Sequence, residues 1–294
     1  MCVALLTALA WAGSSIILKH ISGRIDTLAT NMLRLWTGSV VLVVFVVLSG
    51  RSGSYVDMAV EPILLVVASG LVALAIGDTV YIKSLTFIDV SRAFPIGQCT
   101  FPVLTMCVAI LLLAEPFAWF NVVGALLVVV GLYLVAVLGR AGTASGVGEG
   151  NDGKGIALAF LAAVTWVVGA TTLKLGVADM DAFVAAAVRI PVGAIALTGF
   201  VVGRRGKQAL RFKKYGVRNL GMTVGAGVLT YGVAAVSYVT AMQLLGAGRA
   251  VLITAVAPIF VLPLSVLVLK ERPTMYGIGG VVVCVSGVIL VSLD

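Results

Sequence analysis

Residues 4–19 read ALLTALAWAGSSIILK, and residues 157–174 read ALAFLAAVTWVVGATTLK. Both are apolar, small-residue stretches carrying one tryptophan and closing on a lysine. The match continues outward without a gap: Trp11, Lys19, Asp26 and Arg34 recur as Trp166, Lys174, Asp181 and Arg189, each 155 residues further on. Tyr81 and Arg92 recur as Tyr238 and Arg249 at an offset of 157, and Pro102, Glu115, Gly124 and Gly131 as Pro258, Glu271, Gly280 and Gly287 at 156. The chain therefore reads as two copies of one unit.

Composition sets the environment of that unit. The 294 residues are 61% hydrophobic and 11% charged, whereas soluble domains carry about 25% charged residues. Stretches such as 62–82 and 121–138 are apolar for about 20 residues, enough for about 30 Å of helix and so for the hydrocarbon core. The sequence predicts an all-α integral membrane protein with ten spans: 2–19, 28–48, 62–86, 91–113, 118–138, 156–173, 182–202, 219–243, 247–269 and 275–293. The Gly/Ser-rich segment 139–154 separates a first five-helix repeat, 1–138, from a second, 155–294. Five is odd, so the second copy is expected to insert upside down relative to the first, with the substrate path where the repeats meet near the bilayer midplane.

Several functions are disfavoured at once. The net charge of +8 comes from basic residues at span ends and in one loop, as expected beside lipid headgroups, so no nucleic-acid partner is read from it. Cys2, Cys99, Cys107 and Cys284 lie in apolar runs without metal spacing and read as small apolar side chains. His20 is the only histidine, which argues against a histidine metal site or a serine–histidine machine; no catalytic residue, cofactor or metal is expected. The N-terminal stretch resembles a signal peptide at Ala8-Leu9-Ala10, but its internal recurrence marks it as a membrane helix. Residues 148–154, GEGNDGK, nearly spell a phosphate-binding loop, yet Gly155 stands where Ser or Thr is needed and no strand precedes it.

A tryptophan in the first span, an arginine opening the second, a tyrosine in the third, a proline in the fourth with Glu at its end, and paired glycines in the fifth resemble the drug/metabolite transporter superfamily, EamA type. The pattern covers nearly the whole chain and occurs twice. The resemblance implies a ten-helix basket around a central cavity lined by spans one to four and six to nine, with five and ten at the periphery. It also implies a multi-pass protein of a prokaryotic cell membrane that moves small metabolites, amino acids or related solutes among them, often outward. The small multidrug branch of the superfamily carries a glutamate in its first helix. Both first-span copies here lack a carboxylate, which argues against that branch's export of lipophilic cations.

Charge placement and this resemblance disagree on orientation. Side one, bearing loops 1–2, 3–4, 5–6, 7–8 and 9–10, carries Lys19, Arg24, Lys83, Arg92, Arg140, Lys154, seven basic residues from Arg204 to Arg218, Lys270 and Arg272. The other side has only Arg51, Lys174 and Arg249. The positive-inside rule puts side one in the cytoplasm and both termini outside; the resemblance implies cytoplasmic termini.

Ten residues are candidates for binding a small-molecule substrate. Arg34 and Arg189 lie inside the second span of each half, where arginine costs several kcal/mol unless it snorkels or pairs. They are either cationic points near the two mouths of a cavity, suited to a carboxylate or phosphate, or ion-pair partners of Asp26 and Asp181. Asn31 shares a helical face with Arg34. Asp78, whose repeat position is Ala235, is the most deeply placed carboxylate. It is either a proton or ammonium site or the fixed partner of Arg34 or Lys83, and Tyr81 lies on its face. Trp11 and Trp166 are either interfacial anchors or, set deep among small residues, borders of a cavity. Tyr231 and Tyr238 share a face of the eighth span, either toward substrate or in packing with a hydroxyl bonded to a neighbouring backbone; Gln98 lies between Pro95 and Pro102. The prolines of the fourth and ninth spans either kink helices beside a cavity or simply distort them. The glycines, Gly221-x3-Gly225 for example, are expected at close helix contacts.

The sequence thus predicts a secondary transporter, with protons as a possible coupling ion, lipid as its surroundings, and a monomer or homodimer as its assembly. An uncoupled facilitator or channel of the same fold, or a non-transporting receptor or subunit, are the alternatives.

Overall fold

The structure, a computed structural model, describes residues 2–50, 60–113, 119–138, 152–176, 182–245, 254 and 256–291. Among these are ten helical spans: α1 (Cys2–Ile21), α2 (Thr27–Leu48), α3 (Val60–Ser84), α4 (Val90–Leu113), α5 (Trp119–Ala136), α6 (Asp152–Gly176), α7 (Ala182–Arg205), α8 (217–245), α9 (Ala257–Leu269) and α10 (Met275–Val291). Their ends fall within a few residues of the expected spans, except that the ninth helix is described only from Ala257 where the span is expected from 247. Most of the expected linker, the start of the ninth span, Glu115, Asp181 and Arg249 lie outside the described residues.

The halves are interleaved. α1 packs on α8 and α9 of the second half, and α6 packs on α3 and α4 of the first, while α2 meets α7 and α5 meets α10. Contacts recur in pairs when the halves are exchanged. Trp11 stacks on Tyr238 and Trp166 on Tyr81, both with ring centroids 5.5 Å apart. Ser14 donates to the Ala226 carbonyl at 3.1 Å, and at the equivalent crossing Ser69 donates to the Gly169 carbonyl at 2.5 Å. Gly227 lies against the Arg34 backbone, and Gly70 against that of Arg189.

α5 and α10 are joined through glycine. A Cβ on Gly131 would meet Cys284 and the Gly280 carbonyl, and one on Gly287 would meet the Gly124 carbonyl. Absence of side chains there lets the two backbones approach, the usual basis of close packing in lipid. The outward face of α5 presents Leu126, Val129, Val130 and Tyr133, and that of α10 presents Val282 and Ile289. This pair is peripheral and apolar toward lipid. Gly221 and Gly225, expected at such a contact, instead face open space: small-residue spacing alone does not specify which face of α8 meets a neighbour.

Two of the spans widen at equivalent places. α3 is π-helical over Gly70–Gly77 and α8 over Val228–Ala234. α9 ends in a third π segment, Ser265–Leu269, just after Pro263. α4 carries Pro95 and Pro102 within one continuous α-helix, so its prolines do not interrupt the helix.

Side one is tied together by capping and ion pairs. Asp26 caps α2 by accepting from the Leu28 and Ala29 amides at 3.1 and 3.3 Å, and pairs with Arg205 at 3.0 Å. Lys19 donates to the Leu85 and Ile88 carbonyls and lies 3.4 Å from Asp89. Glu271, in the α9–α10 connection, accepts from the Val90 and Ser91 amides at the start of α4. The landmark glutamate of the repeat is thus a cap supplied by another element.

Candidate functional site

Asp78 follows directly on the π segment of α3. It lies six residues from the side-one end of that helix, about 9 Å deep at 1.5 Å per residue. Arg34, seven residues into α2 from the same side, reaches a similar depth, so the two charges meet. The Arg34 Nη2–Asp78 Oδ2 distance is 3.8 Å, with both side chains largely buried. Asp78 also accepts from two residues of the second half. The Trp166 indole donates to Oδ1 at 2.9 Å, and the Tyr231 hydroxyl to Oδ2 at 2.5 Å. One carboxylate of α3 is therefore gripped by α2, α6 and α8.

Arg34 is held from several sides. It donates to Asn31 Oδ1 at 3.4 Å and to Thr230 Oγ1 at 3.1 Å, and its guanidinium lies 5.3 Å from the Tyr231 ring centroid. Asn31 in turn donates to the Leu74 carbonyl at 2.8 Å and to Thr79 Oγ1 at 2.9 Å. The Leu74 carbonyl lies inside the π segment. Thr230 is fixed by Ser14 of α1 at 2.6 Å. Such networks satisfy groups that hydrocarbon cannot. The expected pairing of Arg34 with Asp26 is not formed: Asp26 sits at the helix end and takes Arg205 instead. Lys83 lies over the Phe87 ring, 5.2 Å from its centroid, so Arg34 and not Lys83 is the partner of Asp78.

Arg189 is less well satisfied. Seven residues into α7 from the opposite side, it approaches the cluster from the other face of the membrane. It has no hydrogen bond or ion pair among the described residues, whereas Arg34 has both, although the Nε of each is buried and unpaired. The Asp78 carboxylate is near enough for its charge to act on Arg189 at longer range. Asn31 and Asp78 correspond to Ala186 and Ala235 in the second half. Asp78 is thus paired with one guanidinium, that of Arg34, and felt at longer range by a second, that of Arg189.

The remaining candidates divide. Tyr81 forms the wall behind Trp166, and its buried hydroxyl is near Ser15, outside hydrogen-bonding geometry. Trp11 and Tyr238 form the equivalent ring pair without a carboxylate. Gln98 is half-buried on α4 next to Gly97, which lies against the Trp166 ring; no polar contact brings it into the cluster among the described residues. Sequence reasoning missed Ser14, Thr79 and Thr230. Ser14 follows Trp11 by one helical turn and Thr230 adjoins Tyr231, but hydroxyls are common in such helices and usually bond their own backbone.

A lipid-embedded bundle of ten helices, with its charged centre formed jointly by two interleaved halves, has the architecture of a membrane transporter. The chain belongs to the EamA-like transporter family, whose model matches residues 1–137 and 153–293. A protein of Archaeoglobus fulgidus described as an uncharacterized transporter is 23% identical over 291 residues, covering 99% of this chain and 97% of the relative. A solved crystal structure shares the fold at a TM-score of 0.68 and 18% identity, covering 98% of this chain and 94% of that one. The protein is a multi-pass integral membrane protein of a transporter family, as expected from its sequence.

Proposed function

We propose that the chain is a secondary transporter, working outward by alternating access, for small metabolites bearing a carboxylate, amino acids foremost. The observation that carries this reading is the charge balance of the cluster: among the described residues, the Asp78 carboxylate pairs with Arg34 and lies within electrostatic range of Arg189. A site with an excess cation in a low-dielectric wall of Trp and Tyr focuses its field on an anion. The α-amino group of an amino acid would be received by Asp78.

Asp78 is also the proposed proton site. It belongs to the first half while Trp166 and Tyr231 belong to the second. Protonation would weaken its hold on Arg34 and Tyr231 and loosen the halves, which is the coupling a proton-driven carrier needs. One observation favours the uncoupled facilitator instead. Asp78 accepts from an indole and a phenol and faces a guanidinium at 3.8 Å, contacts that suit a fixed clasp between the halves.

Counterflow into liposomes tests both readings. Preloaded unlabelled amino acid should accelerate entry of labelled amino acid, and an imposed pH gradient should drive its accumulation above equilibrium. Trans-stimulation without gradient-driven accumulation would select the facilitator, and no flux of any carboxylate would remove the substrate class.

A further inference from the structure

On side one, well away from the central cluster, the segment between α7 and α8 folds into two short 3₁₀ turns, Lys207–Leu210 and Phe212–Tyr215. Glycines 206 and 216, at φ 69° and 77°, bound it. Ala209, Phe212 and Tyr215 pack onto the hydrophobic core, so this basic stretch is docked on the bundle. Beneath it is a cavity of about 470 Å³, walled by the start of α2, the end of α7 and both turns.

The charges of that cavity do not cancel. Its charged lining is Asp26, Arg205, Arg211 and Lys214. Asp26 is already committed, to the Leu28 and Ala29 amides and to Arg205. Among the described residues, Arg211 and Lys214 thus have no carboxylate facing them within the cavity. Lys214 lies 4.8 Å from the centroid of the Tyr215 ring, a placement that orders the ammonium. The site sits where α7 ends and α8 begins, at the level of lipid headgroups.

We propose that this cavity binds a phosphate-bearing anion, the headgroup of an anionic lipid or a soluble phosphate ester. An arginine fork and a lysine point charge together match a phosphate, which offers several oxygens to both. Basic clusters beside a membrane helix gain about 1 kcal/mol per residue from anionic lipid, and here the docked loop adds a defined pocket. The site is independent of the transport reading: Asp26 precedes Arg34 by eight residues of α2, about 12 Å.

The test uses the purified full chain in neutral detergent, with thermal unfolding as readout. Dioctanoyl phosphatidylglycerol should raise the midpoint and dioctanoyl phosphatidylcholine should not, since only a ligand of the folded state stabilises it. Glycerol 3-phosphate matching the lipid's effect would assign the site to a soluble ester. Arg211→Gln with Lys214→Gln should weaken the effective probe roughly thirtyfold, two contacts' worth, and Arg211→Lys alone should retain most of it. Lys207→Gln with Lys213→Gln, which removes the same charge outside the cavity, should cost no more than about threefold by lowering the general field. Equal losses in the two double variants would reduce the site to a diffuse basic patch and overturn the proposal, as would the absence of stabilisation by either phosphate probe.

Discussion

The indole of Trp166 donates to Asp78 at 2.9 Å, whereas the second half carries Ala235 at the position equivalent to Asp78 and so offers Trp11, the repeat equivalent of Trp166, no such carboxylate. The ring pairs are alike, each 5.5 Å from its tyrosine. Both halves present the aromatic pair, and only the first places a carboxylate beside it.

This asymmetry separates two otherwise similar substitutions. Trp166→Phe keeps most of the ring contact with Tyr81 but removes a donor to a buried carboxylate. Interhelical polar contacts in membranes average about 0.6 kcal/mol and reach about 1.7; because the acceptor is charged, a loss at the upper end is expected. Trp11→Phe should cost less. Thermal unfolding in detergent of both variants measures the difference, and equal losses would show that ring packing dominates.

Asp78→Asn probes coupling. The amide retains an acceptor for one of the two second-half donors but loses the charge opposite Arg34. Gradient-driven accumulation should be abolished, with counterflow retained at a reduced rate and expression unchanged. An unaltered pH-driven rate would leave Asp78 a structural clasp.

The architecture was legible because its cause is compositional. Twenty-residue apolar runs can only be spans, and a constant offset from Trp11 to Arg34 can only be a repeat. The central cluster was partly legible: Asn31, Arg34 and Asp78 are each anomalous in hydrocarbon. Their partners were harder to read. That Asp78 would meet Trp166 and Tyr231 depends on helix rotation across the inter-repeat interface, and the π segments at Gly70–Gly77 and Val228–Ala234 alter that rotation without a hydrophobic signature. Glu271 was visible as a landmark, but its capping of α4 joins elements about 180 residues apart. Gly221 and Gly225 misled because spacing gives a helix face and not its neighbour.

The glycines supply a prediction of their own. Gly131→Ala places a Cβ against Cys284 and the Gly280 carbonyl, and neither backbone can retreat without parting α5 from α10. Overpacking of this kind costs about 1–3 kcal/mol. Gly225→Ala meets open space and should be neutral or stabilising by up to about 1 kcal/mol, from helix propensity. Unfolding midpoints of the two variants should therefore move in opposite directions.

Glu271 links side one to pH. Burial raises its carboxyl above the ordinary value of 4.5, the nearby Asp89 adds to this, and hydrogen bonds from Ser91 and Val90 oppose it. A carboxyl with a raised folded pKa contributes stability that is complete below the unfolded value and is lost as pH climbs through the folded one. Glu271→Gln cannot ionise and still offers the α4 amides an oxygen. Its stability relative to the parent should improve as pH rises from 4 to 7. Glu271→Ala should lose the cap at every pH, at about 0.5–2 kcal/mol. Flat difference curves for Glu271→Gln would show that the carboxylate's hydrogen bonds offset its burial.

The arginines give the most direct test of how the two halves share the work. Arg34 enters the cluster on the helix that starts from side one and pairs with Asp78, while Arg189 lies on the helix that starts from side two, against Gly70 of α3. If alternating access exposes the centre to each side in turn, an anionic substrate is received first by the arginine nearer the open side. Arg34→Gln should then impair substrate affinity measured from side one more than from side two, and Arg189→Gln the reverse. Arg34→Gln also frees Asp78 of its closest cation, leaving a buried charge with weaker compensation, so it should be the less stable variant by about 1–3 kcal/mol. The Nε of each arginine is buried and unpaired, but Arg34 also has hydrogen bonds and an ion pair to lose and Arg189 has none among the described residues, so Arg189→Gln should fold nearly as well as the parent. Half-maximal concentrations for carboxylate transport in right-side-out and inverted vesicles resolve the matter. Normal transport by both variants would mean that the excess charge serves the packing of the halves and does not meet the substrate.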